Sequence, residues 1–421
     1  MSAPARLSRP VAFVAVAATF VWFLAASSAP SPLYVVYQER FAFTEFTLTL
    51  VFAVYVLALI AALLVVGALS DHVGRRPVIL GAIALEIVAL LLFLLADGVG
   101  MLLVARIVQG VATGAATATL PATLVDLDPP HARGRAGLIN GVAPLGGLGL
   151  GALGCGALVE LAPAPTQLVW AILLAGMVLA GLVAALMPET ITRRPGALAS
   201  LRPRVGVPVR IRAEFLAIVP VLLASWALGG LYLSLGPSVA AGLFDLRNHL
   251  VGGLVVTMLC GTGALTAFLL RGREPGRVLP AAAAGLALGT AVTLVGIALA
   301  GPGSGAAATI VAGAGTLVAG VGFGAAAFGT FGTLARIAAP HERGELFAAT
   351  YTLAYLAFSI PAVIAGVSAT AVGLRITAEV YGLVVVLLAL SALVLGRVVP
   401  SRTERRIESG AATGAATRSS S

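Results

Sequence analysis

Apolar residues along this chain come in long unbroken runs, and short polar stretches punctuate them. A helix crossing the hydrocarbon of a bilayer needs about 20 apolar residues. Twelve runs reach that length. They are residues 11–29, 44–69, 78–96, 99–125, 136–159 and 167–187, then 214–238, 249–270, 278–300, 305–335, 346–370 and 376–399. The tenth run is too long for a straight crossing, so it is tilted, broken by its glycines, or partly loop. The pattern predicts an all-α integral membrane protein with twelve transmembrane helices in two six-helix bundles. One stretch near the middle has a linker's composition: Pro188–Arg212 carries four prolines and six arginines. The expected organisation is therefore an N-terminal half over 1–187, a cytoplasmic linker over 188–213 and a C-terminal half over 214–399. The Ser/Thr/Ala/Arg-rich tail over 400–421 is expected to be disordered.

Composition supports the membrane reading. Of 421 residues, 59% are hydrophobic and 10% charged, whereas roughly a quarter of a soluble chain is charged. The formal net charge is +9, and all 26 basic residues are arginine. Such a balance could serve nucleic-acid binding, but the arginines sit in short loops between apolar runs. With the N-terminus inside, all but four fall on the cytoplasmic side. Arg40, Arg247 and Arg375 fall outside, and Arg106 lies within a span. That asymmetry is the positive-inside pattern. It supports an even number of spans, both termini in the cytoplasm and no nucleic-acid partner. It also argues against reading residues 6–29 as a removable secretory signal, which would leave eleven spans and spoil the alternation. Cys155 and Cys260 both lie in apolar runs and read as small buried side chains rather than a disulfide framework.

An internal repeat supports two pseudo-symmetric halves. Pro130-His131-Ala132-Arg133-Gly134 recurs as Pro340-His341-Glu342-Arg343-Gly344, 210 residues on, each copy just before the fifth span of its half.

The chemistry concentrates in a few places. Between the second and third spans stands Gly67-Ala68-Leu69-Ser70-Asp71-His72-Val73-Gly74-Arg75-Arg76-Pro77. Asp71 sits at the membrane boundary, where a carboxylate is costly unless paired, and Gly67 and Gly74 permit close helix approach. The plain alternative is a topology loop with a turn glycine. The spacing Gly-x-x-x-Asp-x-x-Gly-Arg-Arg resembles the signature loop of the major facilitator superfamily of transporters. The resemblance implies a conformational latch made of Gly67, Asp71, Gly74, Arg75, Arg76 and Asp126. In it Asp71 would face the start of the eleventh span near Glu345, and Arg75 would pair with Asp126 at the end of the fourth. His72 departs from the family, which usually has arginine or lysine there. The counterpart Arg271-Gly272-Arg273-Glu274-Pro275-Gly276-Arg277 keeps the charge without the pattern and reads as a topology loop.

Arg106 is the costliest residue in the chain, at about 2.5–3.5 kcal/mol for a mid-span arginine. Either it faces a cavity or partner, or it snorkels to the outer interface. Gln109 and Thr113 follow at helical spacing with Gly110 and Gly114 beside them. The segment Arg106–Gly114 resembles the fourth-helix motif of proton-coupled members of the family, which implies a part in proton movement or substrate contact. Glu86 is the only acid deep in any span and lies within about one turn of the depth of Arg106. A Glu86–Arg106 pair across the third and fourth spans follows as a candidate, with Glu86 either a titrating proton carrier or a structural partner. The first span offers only Thr19, Ser27 and Ser28 where coupled relatives carry an acid.

The glycine-rich fifth span, with Ala143-Pro144, resembles the motif of the twelve-helix drug/proton antiporter branch, although alanine replaces the glycine before the proline. Its Gly149-Leu-Gly151-Ala-Leu-Gly154 also fits a dinucleotide fingerprint, but no strand precedes it and it lies in lipid. Candidate linings of a substrate cavity are Trp22, Trp226, Tyr232, Phe331, Tyr351 and Tyr355, whereas Tyr34, Tyr37 and Tyr381 read as interfacial anchors. No Walker loop, His-Glu-x-x-His or Gly-x-Ser-x-Gly occurs, and the four histidines read as loop residues.

These features predict a secondary transporter of the plasma (inner) membrane, working as a monomer by alternating access. Neither an enzyme nor a cofactor is expected. The expected partners are a small-molecule substrate, protons and the lipid bilayer. Efflux of a small lipophilic or amphipathic compound fits a pocket with few fixed charges, and proton-coupled uptake of a small metabolite is the alternative.

Overall fold

The computed structural model describes residues 6–128, 134–203, 205–301, 305–339 and 342–398. The recurring Pro-His segments lie outside these residues except for their last members, and so does the tail from 400. Among the described residues there is no strand, and twelve helices are long and apolar enough to cross a membrane. The first bundle comprises Arg9–Phe41, Glu45–Val66, Arg75–Leu94, Val99–Leu127, Arg135–Leu161 and Pro165–Ala185. The second comprises Val209–Ser234, His249–Leu269, Pro275–Leu299, Ala306–Ile337, Arg343–Val372 and Leu374–Leu395. They are called here the first to the twelfth span. The side carrying the Gly67–Pro77 loop and residues 188–208 is the linker side, and the other is the far side.

Large apolar side chains such as Leu57, Val104, Leu150, Leu288, Ile364 and Leu387 stand outward and exposed, as lipid-facing residues do. Within the bundles, small residues bring the helix backbones together. A methyl at Gly110 or Gly114 would collide with the carbonyl of Tyr55 or of Leu59, so the fourth span lies hard against the second. The two bundles meet along two seams, second span on eleventh and fifth on eighth.

The seams are made toward the far side. Phe52 packs against Phe358 with ring centres 5.0 Å apart and planes tilted by 37°, and Gly366 packs against Thr49 one turn nearer the surface. Thr257 donates to the carbonyl of Gly149 at 2.9 Å, and Glu160 accepts the N–H of His249 at 3.0 Å. Toward the linker side of the same fifth span, Gly137 and Gly141 face open space.

Three sequence expectations need correction. The first span does not stop near residue 29: a second helical stretch, Pro30–Phe41, continues it after a single irregular residue. Proline's fixed φ suits the first position of a helix, so the break at Pro30 also restarts the helix. The tyrosines read as interfacial anchors are buried instead. Tyr34 and Tyr37 are 2% and 1% exposed, and Tyr381 donates to the carbonyl of Ala227 at 2.7 Å. A buried phenol needs a partner, and each of the three has one. The tenth run is one helix through Ile337. His249, read as a loop residue, opens the eighth span.

Candidate functional site

The deepest polar cluster is built on the fourth span. Arg106 is 1% exposed, which removes the snorkelling alternative. Its Nε donates to Tyr34 Oη at 3.0 Å, and Nη2 reaches the same oxygen. Nη1 donates to Gln109 Oε1 at 2.6 Å and to the carbonyl of Ser27 at 3.2 Å. The Tyr55 ring lies under the guanidinium, its centre 4.6 Å away, a distance suited to a cation–π contact. Arginine has no acceptor, so the amide oxygen of Gln109 must face it and the amide nitrogen must face away. That nitrogen donates to Glu86 Oε1 at 2.9 Å and to the carbonyl of Ala26 at 3.1 Å. Thr113 sits one turn on, its hydroxyl 3.4 Å from that of Ser27.

The predicted Glu86–Arg106 pair is therefore not direct, because Gln109 stands between the two charges. The reason is geometric: Gln109 shares a helix face with Arg106 and its amide can serve a cation and a carboxyl at once. Glu86 is fully buried, and its Oε2 has no hydrogen-bond partner among the described residues. Such an oxygen is where a proton would sit.

The second grouping is aromatic. Tyr355 meets Trp226 edge-on at 4.7 Å, and Phe331 lies 4.9 Å from Tyr351 and 6.4 Å from Trp226. Phe347 and Phe358 extend this wall along the eleventh span. Neither the Tyr351 nor the Tyr355 hydroxyl has a hydrogen-bond partner among the described residues. Through Phe358 the wall reaches Phe52 of the second span. Tyr55, one turn from Phe52, belongs to the Arg106 cluster. The polar cluster of one bundle and the aromatic wall of the other thus approach each other across one helix.

A family model described as the Major Facilitator Superfamily matches residues 11–362. The chain belongs to this superfamily of transporters. Its fold is similar to that of the human organic anion transporter MFSD10 (TETRAN), at a TM-score of 0.65 and 18% identity, covering 92% of this chain and 100% of that one. Local sequence similarity links it to other members. An uncharacterized MFS-type transporter of Mycobacterium tuberculosis, Rv1250, is 38% identical over 27% of this chain and 20% of its own. The proton myo-inositol cotransporter hmit-1.1 of Caenorhabditis elegans is 41% identical over 16% of this chain and 11% of its own. The probable metabolite transport protein CsbC of Bacillus subtilis is 30% identical over 25% and 23%. The chain thus spans less than a quarter of the length of each of these three relatives.

In this superfamily member the Gly67–Pro77 loop is a dense electrostatic knot. Arg75 reaches Asp126, the partner that the resemblance implies, at 3.1 Å, and also Asp71 at 2.7 Å and Ser70 Oγ at 2.6 Å. Asp71 does not face the eleventh span near Glu345. It lies half exposed on Arg75, four residues along, while Glu345 offers its backbone carbonyl to Gly206 of the linker. Gly74 takes φ +110°, a conformation that favours glycine. A methyl there would also strike the carboxylate of Glu189. Glu189 caps the third span by accepting the N–H groups of Arg75 and Arg76 at 2.8 and 3.2 Å, and Thr190 donates to Asp126 at 3.0 Å. The Arg76 side chain joins less tightly, its Nε being buried without a partner among the described residues.

Replacing Arg75 by alanine leaves Asp126 with the Thr190 hydroxyl but no cation and takes the guanidinium from Ser70, in a part-buried site. A hydrogen bond to a charged group contributes about 1.5–3 kcal/mol, and the half-exposed Asp71 adds little. The variant should melt several degrees below wild type in detergent; an unchanged melting temperature would remove the loop's structural role.

Several functional positions were missed or misplaced from sequence. Phe347 and Phe358 fall at helical spacing with Tyr351 and Tyr355, a stripe that the spacing could have revealed. Glu189 and Thr190 gave a weaker signal, as two of the three polar side chains, with Thr192, between the sixth span and the linker arginines. Trp22 does not join the aromatic wall: its indole donates to the carbonyl of Leu173 and packs over Gly176, between the first and sixth spans. Tyr232 is closed off as well, its hydroxyl 2.8 Å from Thr316 Oγ1 between the seventh and tenth spans. In the loop 271–277, Glu274 pairs with Arg277 at 2.9 Å and lies 3.9 Å from Arg336, so it is more than a topology signal.

Proposed function

We propose that this protein is a proton-coupled secondary transporter that exports small lipophilic or amphipathic compounds by alternating access. The observation that carries the coupling is Glu86, a fully buried carboxyl with one oxygen bound to Gln109 and the other free. Proton gain or loss at Oε2 changes how strongly Oε1 holds the Gln109 amide, and Gln109 also holds Arg106 and the carbonyl of Ala26. A change at one carboxyl is thereby felt by the first, second and fourth spans. The substrate body would lie against Trp226, Phe331, Tyr351 and Tyr355, with the two free phenol hydroxyls available to polar groups on it. Arg75, Asp126 and Asp71 would form the latch on the linker side, with Gly67, Gly74 and Arg76 shaping its loop. The far-side seams suit a state open toward the linker side.

This reading divides the chain into a first bundle over 1–187, a linker over 188–213, a second bundle over 214–399 and a tail segment over 400–421. Both termini face the cytoplasm of the inner membrane and the working unit is a monomer. A second reading, proton-coupled uptake of a small metabolite, is favoured by the local likeness to a proton cotransporter and a metabolite transport protein.

Inside-out vesicles holding a pH gradient, reported by a quenched dye, test the proposal. One compound from a panel of lipophilic cations, neutral antibiotics and sugars is expected to relieve the quenching with wild type and not with Glu86→Gln. Equal relief with both proteins would make Glu86 structural. A substrate-dependent proton flux that runs with the substrate rather than against it would establish uptake instead of export.

A further inference from the structure

Two prolines interrupt the first and the seventh spans at matching places. Ser27-Ser28-Ala29-Pro30-Ser31 and Ser234-Leu235-Gly236-Pro237-Ser238 share serine, proline and serine at one spacing, 207 residues apart. The structure repeats the correspondence. The helices run Arg9–Ser28 then Pro30–Phe41, and Arg212–Ser234 then Gly236–Phe244. The first serine of each motif bonds back to the carbonyl four residues earlier, Ser27 to Phe23 at 2.8 Å and Ser234 to Gly230 at 2.7 Å.

Proline has no N–H for the carbonyl four residues before it. Pro30 therefore leaves the carbonyl of Ala26 open, and Pro237 leaves that of Leu233 open. Ala26 is fully buried and Leu233 is 3% exposed, where an open carbonyl needs a donor from elsewhere. The donors differ. Leu233 accepts from Ser31 Oγ at 2.5 Å, across the boundary between the two bundles. Ala26 accepts from Gln109 Nε2, within the first bundle. Under the repeat, the counterpart of Ser31 is Ser238, and the counterpart of the Leu233 carbonyl is that of Ala26. Ser238 is 7% exposed, and its hydroxyl is buried without a partner among the described residues. One of two matched cross-bundle bonds is made, and the acceptor of the other is occupied by Gln109.

We propose that Ser31 and Ser238 are a pair of latches on the far-side gate, and that Gln109 decides whether the second one closes. With Gln109 on Ala26 the gate is held by Ser31 alone. With Gln109 withdrawn, Ser238 takes the carbonyl of Ala26 and the gate is held twice. Because the same Gln109 nitrogen donates its two N–H groups to Glu86 and to Ala26, the carboxyl and the gate share one amide, and a shift at the carboxyl moves the donor that holds the Ala26 carbonyl. Only this last link rests on the proton reading above; the latch pair stands on the proline-opened carbonyls and their partners.

Double electron–electron resonance in lipid nanodiscs tests it without any substrate, so failure of the proton reading would not affect the result. Spin labels are placed at Glu39→Cys, on the exposed far-side end of the first span, and at Arg247→Cys, in the exposed far-side loop between Gly236–Phe244 and the eighth span, with Cys155 and Cys260 changed to alanine. Ser31→Ala should raise the ratio of far-open to far-closed molecules about five-fold, the value of one net hydrogen bond. Pro237→Ala should do the same, because the new N–H takes the Leu233 carbonyl from Ser31. The two together should still give about five-fold, since both remove one bond. Ser238→Ala should change nothing in the wild-type background. Gln109→Met keeps the side-chain length and removes the donor; it should lower the ratio, and adding Ser238→Ala should restore it. A wild-type distribution for Ser31→Ala, or multiplicative effects of Ser31→Ala and Pro237→Ala, would overturn the latch. An effect of Ser238→Ala that is equal with and without Gln109 would overturn the exchange. The Ser31 and Pro237 variants leave the Gln109 cluster intact, so they decide the latch even if Gln109→Met does not fold.

Discussion

Arg106→Leu is expected to abolish transport and to destabilise the protein by roughly 3–5 kcal/mol, the range for removing one member of a buried charged network. The loss follows from what the guanidinium serves. Without it, Tyr34 Oη, Gln109 Oε1 and the carbonyl of Ser27 lose the donor that Arg106 supplies to each. Gln109 loses the contact that fixes its orientation, so its amide no longer presents nitrogen to Glu86 and Ala26. Leucine fills the volume, which keeps the loss from being a cavity effect. Arg106→Lys separates charge from geometry: the ammonium keeps the cation beside the Tyr55 ring but cannot fork to Tyr34 on one side and Gln109 on the other. It should recover part of the stability and little of the transport. Thermal unfolding and flux measured on the same preparations check both statements. If Arg106→Leu melts and transports like wild type, the cluster has no part in either.

Gly253→Val should jam the far side open and cut transport more than ten-fold, with little effect on the amount of folded protein. Gly253 of the eighth span lies on the fifth span so closely that a methyl would run into the carbonyl of Ala152 and the Cα of Gly156. Backbone groups cannot rotate away as side chains do, so the bundles must separate there. Each bundle keeps its own packing, which is why folding should survive while the far-closed state is lost. Gly141→Ala on the fifth span is the matched control, since nothing lies within reach of the added methyl. It should be neutral or stabilising by up to about 1 kcal/mol from helix propensity alone. Far-side accessibility to a membrane-impermeant thiol reagent, at a cysteine in place of Thr49, which the closed seam buries against Gly366, reads the difference. Equal labelling in the two variants would mean that the seam does not set the far-side closure.

Much of the architecture was legible in the chain. The spans follow from the run lengths that a bilayer imposes. The loop at Asp71 and the need to shelter Arg106 follow from the cost of charge in hydrocarbon. These are local properties of single segments. What only the tertiary structure decided is direction around each helix. A span that meets lipid on one side and protein on the other is apolar all round, so no contrast of polarity tells which face turns inward. Hence Trp22 was read toward a cavity and lies on the sixth span, and Tyr34 was read toward the interface and lies on Arg106. The same limit hid Gln109 between Glu86 and Arg106, because depth in the membrane is countable along a chain and azimuth is not. The prolines at 30 and 237 show in the sequence that two carbonyls lose their helical donors. That Gln109 fills one and Ser31 the other depends on helices brought together from distant parts of the chain.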